Sequence, residues 1–176
     1  MELKDLQGTY VLDPTHTTIS FVTRHAMVTK VRGSFEEFEG TAVIGENPSL
    51  DVTIQVASVN TRNADRDNHL CNSDFFDVEQ FPTMTFKGHS YEIKGDIAEI
   101  TGDLTIKDVT KTLTIPFEYQ GEAKDPFGNE RIGFEGETTI NRSDFGLTWN
   151  AALETGGFMV SDKVVLEFDV SAIKQA

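Results

Sequence analysis

Apolar residues recur at every second position along most of this chain, the spacing of strands that bury alternate side chains. The cleanest run is Leu50, Val52, Ile54 and Val56, with Asp51, Thr53 and Gln55 between them facing water. The same alternation predicts strands over residues 8–13, 17–25, 31–44, 84–93, 97–106, 113–119, 132–140 and 164–170. In the second of these, Ile19, Phe21, Thr23 and His25 share the inward face, and Ser20, Val22 and Arg24 take the other. Gly33 and Gly40 fall inside the third, where glycine marks bends or bulges. Turn chemistry separates the runs. Pro14 and Asn47-Pro48 stop strands, and Asp125-Pro126-Phe127-Gly128 places Asp, Pro and Gly where a type I turn favours them. The pattern is that of eight or nine antiparallel strands, with no sustained helical period.

One stretch breaks the alternation. Over residues 61–86 the apolar residues bunch as His69-Leu70, Phe75-Phe76 and Phe81-Pro82. A short polar helix over residues 66–72 fits here, capped by the side chain of Asn63 or Asp65, which accepts from otherwise unpaired first-turn amides. An aromatic-rich loop follows it. This insertion is expected to cap one end of the sheet structure, with Phe75 and Phe76 facing inward and Arg66 and Asp67 tying the cap to the rim. Residues 141–158 form a second irregular connection, holding Phe145, Leu147, the only tryptophan (Trp149) and a Gly156-Gly157 turn.

Eight alternating strands fold either into a sandwich or into an up-and-down barrel, and closure removes the exposed edges that favour aggregation. The predicted inward faces mix large side chains with Gly88, Ala98, Gly102, Gly136 and Thr138. Small residues there either leave a cavity or let the strands bend, and alternation alone does not choose. At 176 residues the chain forms one domain, burying roughly 70% of its unfolded surface. Thirteen phenylalanines against three tyrosines and one tryptophan suit a dry interior, because phenylalanine brings no polar group that needs a partner.

The net charge is −14, from 29 acids against 15 bases, which excludes a nucleic-acid partner and disfavours an anionic membrane surface. A local arginine or histidine pocket for one phosphate stays compatible with that field. No segment approaches the apolar length of a membrane span, and no secretory signal opens the sequence, so stable membrane insertion is not expected and a cytoplasmic location is. The single cysteine, Cys71, rules out an intramolecular disulfide and reads as a packing residue. The histidines His16, His25, His69 and His89 lack HExxH or HxH spacing, so no metal is called for, and His16 reads as an anchor for the turn after Pro14. GxSxG and phosphate-binding glycine loops are absent. No catalytic constellation is present.

Several blocks together resemble YceI-like proteins. The opening GTYVLDPTHTTISFVTRH carries the spacing of Asp13, His16, Phe21 and His25. RDNHLCNSDFFDVEQFPTMTF is similar to the family's central block at Arg66, His69, Leu70, Ser73, Asp74, Phe75, Phe76, Asp77, Phe81, Pro82 and Phe86. GDLTIKDVTKTLTI, the INRSDFGLTWN segment and the closing VSDKVVLEFDVSAIK extend the likeness over essentially the whole chain. The resemblance implies a single extended eight-stranded lipocalin-like barrel whose interior binds a long apolar chain: a polyisoprenoid, an isoprenoid quinone or a fatty amide. Many relatives carry an export signal; its absence here points to a signal-free cytoplasmic branch.

Candidate lining residues are Phe21, Ile54, Phe75, Phe76, Met84, Phe86, Leu104, Phe117, Phe134 and Phe168, with His25, Arg66 and His69 for a polar head. The expected partner is an apolar lipid, no cofactor is implied, and a homodimer is compatible with the chain. The competing readings are an enzyme using His and Asp groups at the barrel mouth, and a solid-cored interaction domain.

Overall fold

The computed structural model describes residues 1–151, 153 and 159–176. In chain order the strands are β1 (Gly8–Leu12), β2 (Thr18–His25), β3 (Thr29–Phe35), β4 (Phe38–Ile44), β5 (Ser49–Gln55) and β6 (Val59–Asn60). After helix α1 (Ala64–Cys71) come β7 (Thr83–Lys94), β8 (Ile97–Ile106), β9 (Val109–Lys124), β10 (Glu130–Asn141) and β11 (Lys163–Lys174). The turn expected at Gly156-Gly157 lies outside the described residues.

Eight strands close a ring in the order β1-β4-β5-β7-β8-β9-β10-β11, because β1 pairs with both β4 and β11. Strands β2, β3 and β6 continue the wall. β11 pairs with β1 near its end, at residues 172–174, and with β2 at residues 165–169. β1 and β2 are thus two halves of one long strand, and so are β3 and β4, whose halves pair with β2 and β1 in turn. β5 and β6 form a third such pair. The result is an all-β, eight-membered antiparallel barrel with a single α-helix among the described residues.

The breaks have a common cause. In a strand the side-chain period is two, so a switch of inward parity requires one irregular step. Phe35 and Phe38 are both buried although they stand three positions apart, an odd spacing, so an unbroken strand over 31–44 is impossible; the chain slips at Glu36-Glu37. The inward set likewise changes from Tyr10 to Ile19 across residues 13–17, and from Ile54 to Val59 across a short 3-10 turn. Backbone groups stay paired through the breaks. The Asp13 amide donates to the Ser171 carbonyl at 2.9 Å, and the Gln55 amide donates to the Glu37 carbonyl at 2.9 Å.

Antiparallel order sorts the connections. The 25–29 turn, the α1 insertion, the 106–109 turn and the 141–163 connection share one end, here the upper. The lower end carries three short turns and both chain ends. There a 3-10 turn at Leu3–Asp5 tucks Leu3 and Leu6 against Tyr10, Ala98, Ile132 and Ala172. On the outer wall Arg131 clasps two carboxylates, Asp13 at 2.7 Å and Asp125 at 2.8 Å. The Asp13 carboxylate also accepts from Thr15 and pairs with His16 Nδ1 at 2.9 Å, so His16 anchors the turn after Pro14 as the sequence predicts. The Asp125 turn closes with the Gly128 amide donating to the Asp125 carbonyl at 3.0 Å.

Helix α1 begins two residues earlier than expected. Asn63 is its cap, the side chain accepting from the Arg66 amide at 2.9 Å. None of its residues is fully buried, which fits a helix lying on the rim.

Candidate functional site

The barrel encloses an apolar cavity of about 310 Å³ that runs from Leu3, Leu6 and Tyr10 at the lower end to Leu70, Phe75, Phe76 and Leu147 at the upper. Ten sequence candidates line it: Phe21, Ile54, Phe75, Phe76, Met84, Phe86, Leu104, Phe117, Phe134 and Phe168. Phe86, Leu104 and Ile54 alternate along three adjacent strands, so their inward placement follows from the two-residue period and the register Phe86 opposite Leu104.

The inward glycines have a specific use. A Cβ on Gly33 would stand 2.3 Å from the Phe21 ring, its partner across the strand pair. On Gly136 it would stand 2.6 Å from the Phe117 ring, again the cross-strand partner. On Gly102 it would stand 2.7 Å from the Phe86 ring. Each ring therefore rests against a bare stretch of wall, a place only glycine leaves free, and the centre of the barrel stays open. Small inward residues here make room for aromatic rings, and those rings leave a bore.

The upper end is closed by two connections. Phe76 meets the bore ring Phe35 edge-on at 6.1 Å, and Phe35 in turn packs on Phe21 at 5.6 Å between ring centres. Phe75 packs on Trp149 at 5.3 Å, and His69 stands edge-on to both, 4.7 Å from Trp149 and 5.1 Å from Phe75. Trp149 thereby joins the second irregular connection to the α1 insertion. Arg66 and Asp67 tie the insertion to its own root at Thr61. Arg66 Nε donates to Thr61 Oγ1 at 2.8 Å and Nη2 to the Thr61 carbonyl at 2.7 Å, while Asp67 accepts from the Thr61 amide at 2.9 Å.

The three polar-head candidates do not line the bore. His25 shares the strand face of Phe21 and Thr23, but it is the last residue of β2 and is exposed beyond the rim, bridging to Val160. Its inward placement is thus corrected: the alternation outlasts the barrel wall. The Arg66 guanidinium is occupied at Thr61, and His69 Nε2 bonds the Asp74 carboxylate at 2.9 Å. Burial pushes the Cys71 thiol up, with Asp67 adding to it, which suits a packing residue over a nucleophile.

Among the described residues the charged group that does border the bore is Arg142, buried to 6% exposure and absent from the sequence candidates. Its Nε donates to the Ser161 carbonyl at 2.9 Å and Nη2 to Val160 at 3.3 Å, with Nη1 donating to the Leu147 carbonyl. Burial lowers its pKa and Asp162 opposes that shift. The sequence signal is faint: an arginine followed by Phe145 and Leu147 in an irregular segment otherwise polar. Among the described residues no three His, Cys, Asp or Glu side chains gather as a metal site would require.

These features define a closed antiparallel barrel of lipocalin-like form, built around an apolar bore rather than a polar cleft. The chain belongs to the YceI-like domain family, whose profile matches residues 10–172. A UPF0312 protein of Staphylococcus aureus strain N315 is 38% identical over 169 residues, spanning 93% of this chain and 95% of that one. Among solved structures, the Campylobacter jejuni YCEI protein is 35% identical with a TM-score of 0.73, covering 87% of this chain and 90% of its own. Burkholderia cenocepacia BcnA superposes with a TM-score of 0.79 at 24% identity, over 91% of this chain and 98% of its own. A polyisoprenoid binding domain from Saccharophagus degradans superposes with a TM-score of 0.74 at 16% identity, over 94% and 98%, a likeness of fold alone. No described helix is long and apolar enough to cross a membrane.

Proposed function

We propose that this protein binds one long-chain apolar lipid in the bore, a polyisoprenoid, an isoprenoid quinone or a fatty amide, and carries or sequesters it. The observation that carries this reading is the continuous apolar lining from Leu6 to Phe76, held open by rings laid on glycine. Each 100 Å² of tail removed from water contributes roughly 2.5 kcal/mol, so such a wall retains a lipid without any reacting group. The cavity lies at the lower end of the roughly 300–1,000 Å³ typical of ligand pockets. A long tail must therefore shift the end plugs, Leu3 and Leu6 below or Phe75 and Phe76 above. Membership of the YceI-like family and the binding named for the Saccharophagus domain support the same reading. The protein acts as a binder and not an enzyme on this account, in the cytoplasm.

Trp149, the only tryptophan, packs on the upper plug and reports occupancy. Titration with an isoprenoid quinone is expected to change its emission with saturation at one equivalent per chain. Non-saturating, linear quenching would count against an internal site.

A further inference from the structure

Outside the upper wall, between the β2–β3 hairpin, β10, β11 and residues 142–150 and 160–163, runs a polar groove. Five cations line it: Arg24, Lys30, Arg32, Arg142 and Lys163. Among the described residues only three acids share it, in a chain whose net charge is −14, so the groove is a local reversal of the protein's field. Two of those acids are engaged. Glu167 accepts from Arg32 at 3.1 Å, and Asp162 accepts from the Ser143 amide at 3.0 Å. Among the described residues Arg24, Lys30, Arg142 and Lys163 have no carboxylate within ion-pair distance.

The groove and the bore are neighbours through a thin partition. Thr23, Arg142, Leu147 and Val160 border both. A buried cation satisfied only by neutral carbonyls retains its charge, and it stands where an apolar compartment meets a basic one. We propose that the groove seats the anionic head, a phosphate monoester, of a lipid whose tail occupies the bore, with Arg142 beside the passage between them. This rests on the lipid-binding reading and adds the head-group chemistry. The tail supplies affinity by burial, and Arg24, Lys30 and Lys163, exposed and without a carboxylate partner among the described residues, select the head through charge-assisted hydrogen bonds.

The test compares geranylgeraniol with geranylgeranyl phosphate, and inorganic phosphate alone, in calorimetric titrations of wild type and an Arg24→Gln/Lys163→Gln variant. Both substituted side chains are exposed, so folding is not at stake. The phosphate lipid is expected to bind wild type about tenfold more tightly than the alcohol, the equivalent of about 1.4 kcal/mol. That preference is expected to fall towards unity in the variant and at high salt, with the alcohol's affinity unchanged. Equal binding of alcohol and phosphate by wild type overturns the head-group proposal and leaves the bore reading standing. So does a preference that survives the double substitution. Inorganic phosphate binding as tightly as the phosphate lipid overturns it as well, marking a free-anion site. If neither lipid binds, it is the bore reading that falls.

Discussion

Replacing Gly136 by alanine tests whether rings laid on glycine set the width of the bore. The added Cβ would meet Phe117 ring atoms at 2.6 and 2.7 Å and the Pro116 carbonyl oxygen at 3.2 Å. Carbon atoms pack at about 3.5–4.0 Å, so the ring must retreat by about 1 Å. The wall lies behind the ring, so the retreat is inward. In a filled core such overpacking costs about 1–3 kcal/mol. Here the ring moves into open space, and alanine returns about 0.5–1 kcal/mol by restricting the unfolded chain and suiting a strand better than glycine. Stability in chemical denaturation is therefore expected to change by less than about 1 kcal/mol, while affinity for a fluorescent prenyl probe falls by about tenfold, the equivalent of about 1.4 kcal/mol. Gly133 on the same strand is the control, because a Cβ there meets nothing nearer than 3.7 Å. Gly133→Ala should leave probe binding unaltered. Equal affinities for the two alanine variants would refute the reasoning.

Three further outcomes follow from the same contacts. Phe76→Ala, at a half-buried cap position, is expected to raise the lipid off-rate with the fold intact, whereas Phe75→Ala also destabilises by about 3–5 kcal/mol; unchanged retention in both would remove the cap from the account. Hydrogen bonds from Arg131, Thr15 and His16 hold the Asp13 carboxyl well below its ordinary range. Partial burial raises Asp125, but Arg131 and the donors of Asn129 and Phe127 outweigh it and bring that carboxyl to about 2. Because folded-state values are depressed, this stabilisation is present above about pH 4 and lost as pH falls towards 2, so the Tm gap between wild type and Arg131→Gln should be wide at pH 7 and close at low pH. A gap independent of pH contradicts the clasp. Asn63→Ala removes the α1 cap, an expected loss of about 1 kcal/mol in the local stability of that helix, read by amide exchange of residues 64–71.

Strand positions were legible wherever one face was dry and the other wet, as from Leu50 to Ile54. They were not legible in β9, which extends over Val109–Lys124 where alternation predicts only 113–119, because its ends carry polar residues on both faces and are held by pairing with β8 and β10. The break at Glu36-Glu37 was implicit in the spacing of Phe35 and Phe38, since both cannot point inward from one regular strand. His25 misled for the opposite reason, continuing a pattern past the point where there is a barrel to face. Alternation also left the inward glycines ambiguous. Only the register that sets Gly136 opposite Phe117 and Gly33 opposite Phe21 shows that they hold rings against the wall. Arg142, Leu147 and Trp149 escaped because they sit in an irregular connection with no period to read. Leu3 and Leu6, which plug the lower end, lie in too short a segment to show one.

Native mass spectrometry of the freshly purified protein tests the central claim most directly. The account predicts a 1:1 complex whose added mass, released by organic solvent, is that of a single apolar lipid, and re-uptake of a prenyl lipid or quinone by the stripped chain. A chain that flies at its bare sequence mass, and that stays bare when offered prenyl lipids, quinones and fatty amides, would contradict it.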